Sequence, residues 1–398
     1  MEILQSLQKT LICFLMLGTF NLASAQIVFE EFVGAANPFD AAAPGAYASP
    51  DFTDIDDDGD PDVFFALEDG SIAFYKNNGT AEQPVFDLQT GENNPLQVAT
   101  GIAYAGIAFA DVDGDGDDDA FVSSVYAWIK YYKNTGTAQE PVYEQQTGES
   151  NPLDNYEEGF EAKLDFIDID NDGDVDVFIG DDYGNLRFYK NEGTATQPLF
   201  TEQLGIDNPL EQVYVGDFVK PAFADLDFDS DYDLLLGVDN GSFHYFENTG
   251  TPETPDFIEL TGNENPFISF NTGVESKPAF TDLDGDGDED LIAGNEDGNI
   301  HYYANQSTYT GLNRQKDDGS LQILVINKNG LIGIIQENSK PTQEPAIFKL
   351  FNINGRLIYS TEVSTKPPLD IKLPVLPSGI FLFQFQNGTK TKTTKFIF

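Results

Sequence analysis

The chain has 398 residues with a formal net charge of −48, yet 40% of its residues are hydrophobic and 13% aromatic. That apolar content excludes global disorder, because there is ample side-chain surface to bury. The acidity argues against a nucleic-acid partner, since phosphate contacts require a basic face.

Residues 1–25 read as a secretory signal peptide: Lys9, an apolar run from Leu11 to Leu17, and Ala23-Ser24-Ala25 as a small-residue cleavage site before Gln26. The single cysteine, Cys13, lies inside that signal, so the mature chain is expected to carry neither thiol nor disulfide. Beyond the signal no apolar run approaches the roughly 18 residues that would predict a transmembrane helix. Charge then divides the chain. From Gly311 onward eleven Lys/Arg accompany six Asp/Glu, whereas the preceding residues hold nine and 62. Two physically different modules are expected: residues 26–310, then a linker at 311–320, then residues 321–398.

The acidic module is an array with a 57-residue period. "DIDDDGDPD" starts at Asp54, "DVDGDGDDD" at Asp111, "DIDNDGDVD" at Asp168, "DLDFDSDYD" at Asp225 and "DLDGDGDED" at Asp282. After each acidic loop come an apolar run, an Asp/Asn-Gly turn, an aromatic run ending in Asn such as "FYKNNGT", and "PVF" or its equivalent. β-branched and aromatic runs of about five residues separated by turn chemistry predict strands, and four per repeat make one propeller blade. No helix of useful length fits between them. Residues 28–39 contain "VFEEF" and "NPF", which align at the same offset with Val85-Phe86 and with Asn94-Pro95-Leu96, while the last repeat stops after its third strand near Asn305. An opening strand that completes the last sheet predicts an all-β, five-bladed propeller closed by its N-terminus, in preference to a linear solenoid.

Alternating carboxylates on a tight loop, with Gly at the sixth position, suit a hard cation that takes six to eight oxygens. Calcium is the expected ion, one per loop and up to five in all; the competing reading is a solvated acidic turn. The loops are not EF-hands, because position 12 is Phe65, Val122, Ile179, Leu236 or Ala293 rather than Glu. The pattern resembles the calcium loops of FG-GAP/VCBS-type repeat propellers over roughly residues 27–305. That resemblance implies side-chain ligands at positions 1, 3, 5 and 9 and a backbone carbonyl at position 7. Carried over, the first loop offers Asp54, Asp56, Asp58, Asp60 and Asp62, and the second Asp111, Asp113, Asp115, Asp117 and Asp119. Asp168, Asp170, Asp172, Asp174 and Asp176 form the third set. Asp225, Asp227, Asp229, Asp231 and Asp233 form the fourth, and Asp282, Asp284, Asp286, Asp288 and Asp290 the fifth. Ser230 and Phe228 depart from the pattern and predict a weak fourth site.

Strand alternation puts the acidic loops and the "KN(x)GT" turns on one face of the disc, and the second-to-third turns with the long fourth-to-first connections on the other. Recognition usually lives on long connections. There the second blade reads "VYAW", placing Tyr126 and Trp128, the only tryptophan, beside a turn. Exposed, they would stack on a sugar ring or anchor a protein; packed between blades, they would be core. His244 and His301 share one repeat position with Ala73, Lys130 and Arg187, which reads as a variable strand position rather than a catalytic one. No nucleophile elbow, Ser/His/Asp arrangement or phosphate loop is present, and no carboxylate pair stands out for glycoside hydrolysis.

From Leu321 the chain alternates short apolar runs with turns and predicts a small β-sandwich. "LFNINGRLIYS", "LPSGIFLFQF" and the basic end "TKTKTTKFIF" resemble the C-terminal sorting domain of type IX secretion substrates of Bacteroidetes. The resemblance implies the type IX machinery as a partner, removal of the tail, and release or attachment at the cell surface. The expectation as a whole is a secreted or surface-displayed, non-catalytic recognition module for a glycan or a protein. Its alternatives are a propeller enzyme acting on polysaccharide and a purely structural scaffold.

Overall fold

The structure is a computed structural model. It describes residues 27–307 apart from 98–102, 104, 105, 127, 155, 157–159 and 230, together with seven strands between Gln322 and Ile397. The signal peptide, the linker at 311–320 and Ser230 lie outside the described residues.

The chain opens on β1 (Phe29–Phe32). The first blade follows as β2 (Ser49–Thr53), β3 (Asp62–Ala66), β4 (Ile72–Asn77) and β5 (Phe86–Gln89), a four-stranded antiparallel sheet in sequence order. β6 (Ile107–Ala110), β7 (Asp119–Val122), β8 (Lys130–Asn134) and β9 (Tyr143–Gln146) form the second blade. The third comprises β10 (Lys163–Ile167), β11 (Asp176–Gly180), β12 (Leu186–Asn191) and β13 (Phe200–Gln203). β14 (Lys220–Ala224), β15 (Asp233–Gly237), β16 (Phe243–Asn248) and β17 (Phe257–Leu260) make the fourth. The fifth has β18 (Lys277–Thr281), β19 (Asp290–Gly294) and β20 (Ile300–Asn305), and its outer strand is β1, paired from Phe29↔Asn305 to Phe32↔Tyr302. The expected closure by the N-terminal strand is therefore present. Among the described residues the only helices are single 3-10 turns such as Gly91–Asn93, and none is long and apolar enough to cross a membrane.

The innermost strands β2, β6, β10, β14 and β18 neighbour one another in turn, and β18 returns to β2, so the array is a ring. An apolar layer fills each gap between blades: Phe64, Phe74, Ile107 and Val122 between the first two, and Phe39, Phe65, Ile292 and Tyr302 between the fifth and the first. Phe64 stacks on Phe74 at 4.3 Å, and Phe178 on Phe188 at 4.6 Å, across hydrogen-bonded strands.

Inner strands are sheet edges, and unpaired backbone groups there need partners. Charged side chains along the axis supply them. Lys163 donates to the carbonyls of Pro50 (3.2 Å) and Ile107 (3.0 Å), reaching two other blades. Lys220 donates to Glu161 O (2.8 Å) and Lys277 to Tyr47 O (3.1 Å). Asp51 accepts the Phe109 N–H (2.9 Å) and Asp165 the Phe223 N–H (2.7 Å).

The "NP" and "KN(x)GT" signatures are likewise hydrogen-bonding devices. Asn94 donates from Nδ2 to Ile72 O (2.7 Å), and Asn37 makes the equivalent bond to Ile300 O (2.9 Å), so the N-terminal segment repeats at the fifth blade what each connection does elsewhere. Asn77 accepts the N–H groups of Gly79 (3.0 Å) and Val85 (2.9 Å). The glycine of that turn is obligatory, because a Cβ at Gly79 would lie 2.2 Å from Gln83 O. In the tail, β21 (Gln322–Val325), β22 (Leu331–Ile335) and β25 (Leu369–Lys372) make one antiparallel sheet. β23 (Ala346–Asn352), β24 (Leu357–Val363), β26 (Ile380–Asn387) and β27 (Lys390–Ile397) make another.

Candidate cation loops and an aromatic face

Each acidic loop joins the first and second strands of a blade, and its own carboxylates fold it. In the first loop Asp54 accepts the N–H groups of Asp58 (3.0 Å) and Gly59 (2.8 Å) through its two oxygens; Asp168 and Asp282 do the same in the third and fifth. Asp58 in turn accepts the Asp60 N–H at 3.1 Å. The glycine at position 6 has positive φ where described, 93° at Gly59 and 98° at Gly287, as the sequence predicted. Position 4 is left-handed as well, with φ of 54° at Asp57 and Asn171, 67° at Gly114, 62° at Phe228 and 71° at Gly285. The sequence reading missed this second requirement, although Gly or Asx in four of five loops was its signal.

These turns bring positions 1, 3 and 5 together in all five loops. Oxygens of Asp54, Asp56 and Asp58 lie within 4.8 Å of one another, as do those of the equivalent triads beginning at Asp111, Asp168, Asp225 and Asp282. Position 9 opens the second strand and is buried. Asp119, Asp176, Asp233 and Asp290 accept, at 2.7–2.8 Å, the N–H of the Asn that ends the third strand. Tyr131, Tyr245 and Tyr302 donate to the second oxygen of Asp119, Asp233 and Asp290, at 2.7, 2.7 and 3.0 Å. Burial pushes Asp62, Asp119, Asp176 and Asp290 up to about 7 and Asp233 up to about 8.

The residues fit a bound cation on an independent ground. Oδ1 of Asp56, Asp113 and Asp170 at position 3, Oδ1 of Asp117, Asp231 and Asp288 at position 7, and Oδ2 of Asp62 and Asp176 at position 9 are buried without a hydrogen-bond partner. A buried carboxylate oxygen without a donor is costly, and a hard cation removes that cost at several oxygens at once. The sequence reading also missed that lysines of the third strand enter these loops: Lys76 contacts Asp56, Lys133 contacts Asp113 and Asp115, and Lys190 contacts Asp170 and Asp172.

On the opposite face the structure decides the alternative left open for the second blade. Tyr126 and Trp128 are 64% and 62% exposed, with ring centroids 5.8 Å apart, so Trp128 does not pack between blades. Tyr183 occupies the equivalent turn position of the third blade and is also exposed, 6.1 Å from Phe160. The exposed Tyr214 ring lies against the neighbouring Gly184. His244 and His301 pair across strands with Glu259 (2.8 Å) and Glu31 (3.1 Å), as Arg187 does with Glu202 (2.9 Å), in keeping with a variable strand position.

A comparison with protein families matches residues 54–122 and 168–236 to the FG-GAP-like repeat, and residues 326–398 to the secretion system C-terminal sorting domain. The chain carries FG-GAP-like repeats and a type IX secretion sorting tail. The FG-GAP-like matches span the first four acidic loops, and the blade geometry supplies the fifth. With the sorting tail, the protein is directed to secretion and cell-surface attachment. No curated protein matches significantly. Solved structures similar to this FG-GAP-like propeller include an Agrocybe aegerita lectin that recognises non-reducing terminal N-acetylglucosamine, at 14% identity over 83% of each chain and a TM-score of 0.34. The SapL1 lectin, solved with alpha methyl fucoside, has 10% identity over 88% of this chain and 92% of its own, with a TM-score of 0.38. An engineered GH43 glycoside hydrolase has 9% identity over 95% and 93%, with a TM-score of 0.34. Likenesses this distant bear on neither ligand nor activity.

Proposed function

We propose that the protein is a non-catalytic recognition module of the cell surface, a propeller whose acidic loops hold calcium and whose opposite face binds a glycan or a protein. The observation that carries this reading is the aromatic face. Tyr126 and Trp128 stand in solvent at one turn, and Tyr183 and Phe160 follow on the next blade. Rigid aromatic rings left in water side by side are the side chains from which sugar-stacking platforms and protein hot spots are built. Calcium is supported by the five oxygen triads and their partnerless buried carboxylate oxygens. In each set, positions 1, 3, 5 and 9 would hold the ion with position 7; its role would be to neutralise clustered charge and pin the turn, not to react.

The competing classes, an enzyme acting on polysaccharide and a structural scaffold, separate in one experiment. The secreted protein is screened with calcium against immobilised glycans and surface proteins, beside Trp128→Ala. Saturable binding that the variant weakens at least about tenfold supports the assignment. Product release would mark an enzyme, and binding indifferent to Trp128 would remove the aromatic contact.

A further inference from the structure

The third strand of each blade carries, one residue before its final Asn, a side chain beside the acidic loop of the same blade. The five equivalents are Lys76, Lys133, Lys190, Glu247 and Ala304. In the first three blades an ammonium meets the carboxylates directly, Lys133 lying 3.2 Å from Asp115 and Lys190 3.1 Å from Asp172 in addition to their contacts with Asp113 and Asp170. A cation belonging to the chain thus stands among the oxygens that a metal ion would use. Among the described residues the fourth and fifth loops have none. The fourth loop holds Asp231, only 4% exposed, whose Oδ1 has no hydrogen-bond partner.

We propose that the five loops are two classes of cation site: in blades one to three a tethered lysine ammonium competes with calcium, whereas blades four and five, where Glu247 and Ala304 replace the lysine, depend on the metal. The inference rests on the calcium reading above and assigns roles to residues outside the loops. A lysine can swing its ammonium away on a flexible stem, so the first three sites are weakened rather than abolished. Until it does, an ammonium and a divalent ion share one cluster of oxygens, and their repulsion lowers affinity. In the fourth loop no tethered ammonium competes, so that loop joins the tight class despite the left-handed strain at Phe228.

Calcium titration of the full mature chain by calorimetry tests this, beside Lys190→Met. The expected wild-type isotherm has two tight sites and three at least about tenfold weaker. Lys190→Met should move one weak site into the tight class. Hydrogen exchange of the wild type in chelator needs no variant: loops 225–233 and 282–290 should lose protection while the first three keep theirs. Five equivalent sites, or uniform loss of protection, would overturn the proposal and leave the calcium reading intact. Absence of calcium uptake would overturn both.

Discussion

At the scale of single residues, Phe228 is where the repeat is strained. Its counterparts Asp57, Asn171, Gly114 and Gly285 adopt positive φ with a side chain that tolerates it or with none, whereas an aromatic residue at φ 62° does not sit there without cost. Phe228→Asn should therefore stabilise the protein by about 1 kcal/mol, read as a higher urea midpoint at fixed calcium. The sequence made the Asp ladder and its glycine legible because both recur at one spacing within a single turn. It concealed the lysines: Lys76 meets Asp56 only through the strand pairing that brings two residues 20 apart in sequence side by side. A contact set by register across a sheet leaves no local spacing to read.

At the scale of elements, the blade was legible almost entirely. Alternating apolar runs and Asn-Gly turns gave four strands per repeat, and the complementary ends gave the closing strand. The sequence could not say which face of the turn in the second blade Trp128 would take, because exposure depends on the neighbouring blade rather than on the turn itself. β1 makes its own test. Phe29 is 7% exposed and packs 4.8 Å from Phe267, a contact that joins the first strand to the fourth and fifth blades. Phe29→Ala should cost about 3–5 kcal/mol, seen as a lowered unfolding midpoint with the secondary-structure signal of the folded state unchanged.

At the scale of the whole molecule, charge is the organising quantity. The overall acidity was plain from composition, but the placement of its exceptions was not, since the axial lysines share their repeat position with Ser49 and Gly106. Asp165, on the innermost strand β10, is half-buried, and desolvation raises its carboxyl to about 8. Asp51 and Glu289 push it the same way, while the Phe223 N–H and Lys163 oppose them. A carboxyl whose folded pKa is raised contributes stability that is fully present below about 3.8 and is lost as pH rises through about 8. Asp165→Asn, which keeps the acceptor for Phe223, should flatten the decline in stability between pH 5 and 8 relative to the parent protein, measured by urea unfolding at matched calcium and salt.

The pairing of β1 with β20 also imposes a timetable on the chain. The first strand, β1, finds its partner only when Ile300–Asn305 has arrived, so every earlier blade must wait in an unfinished circle with one edge bare. Contacts between such distant segments form slowly, and a bare edge invites pairing with the wrong chain. A molecule cut short before Tyr302 therefore has no partner for its first strand, and the fold itself distinguishes finished copies from fragments.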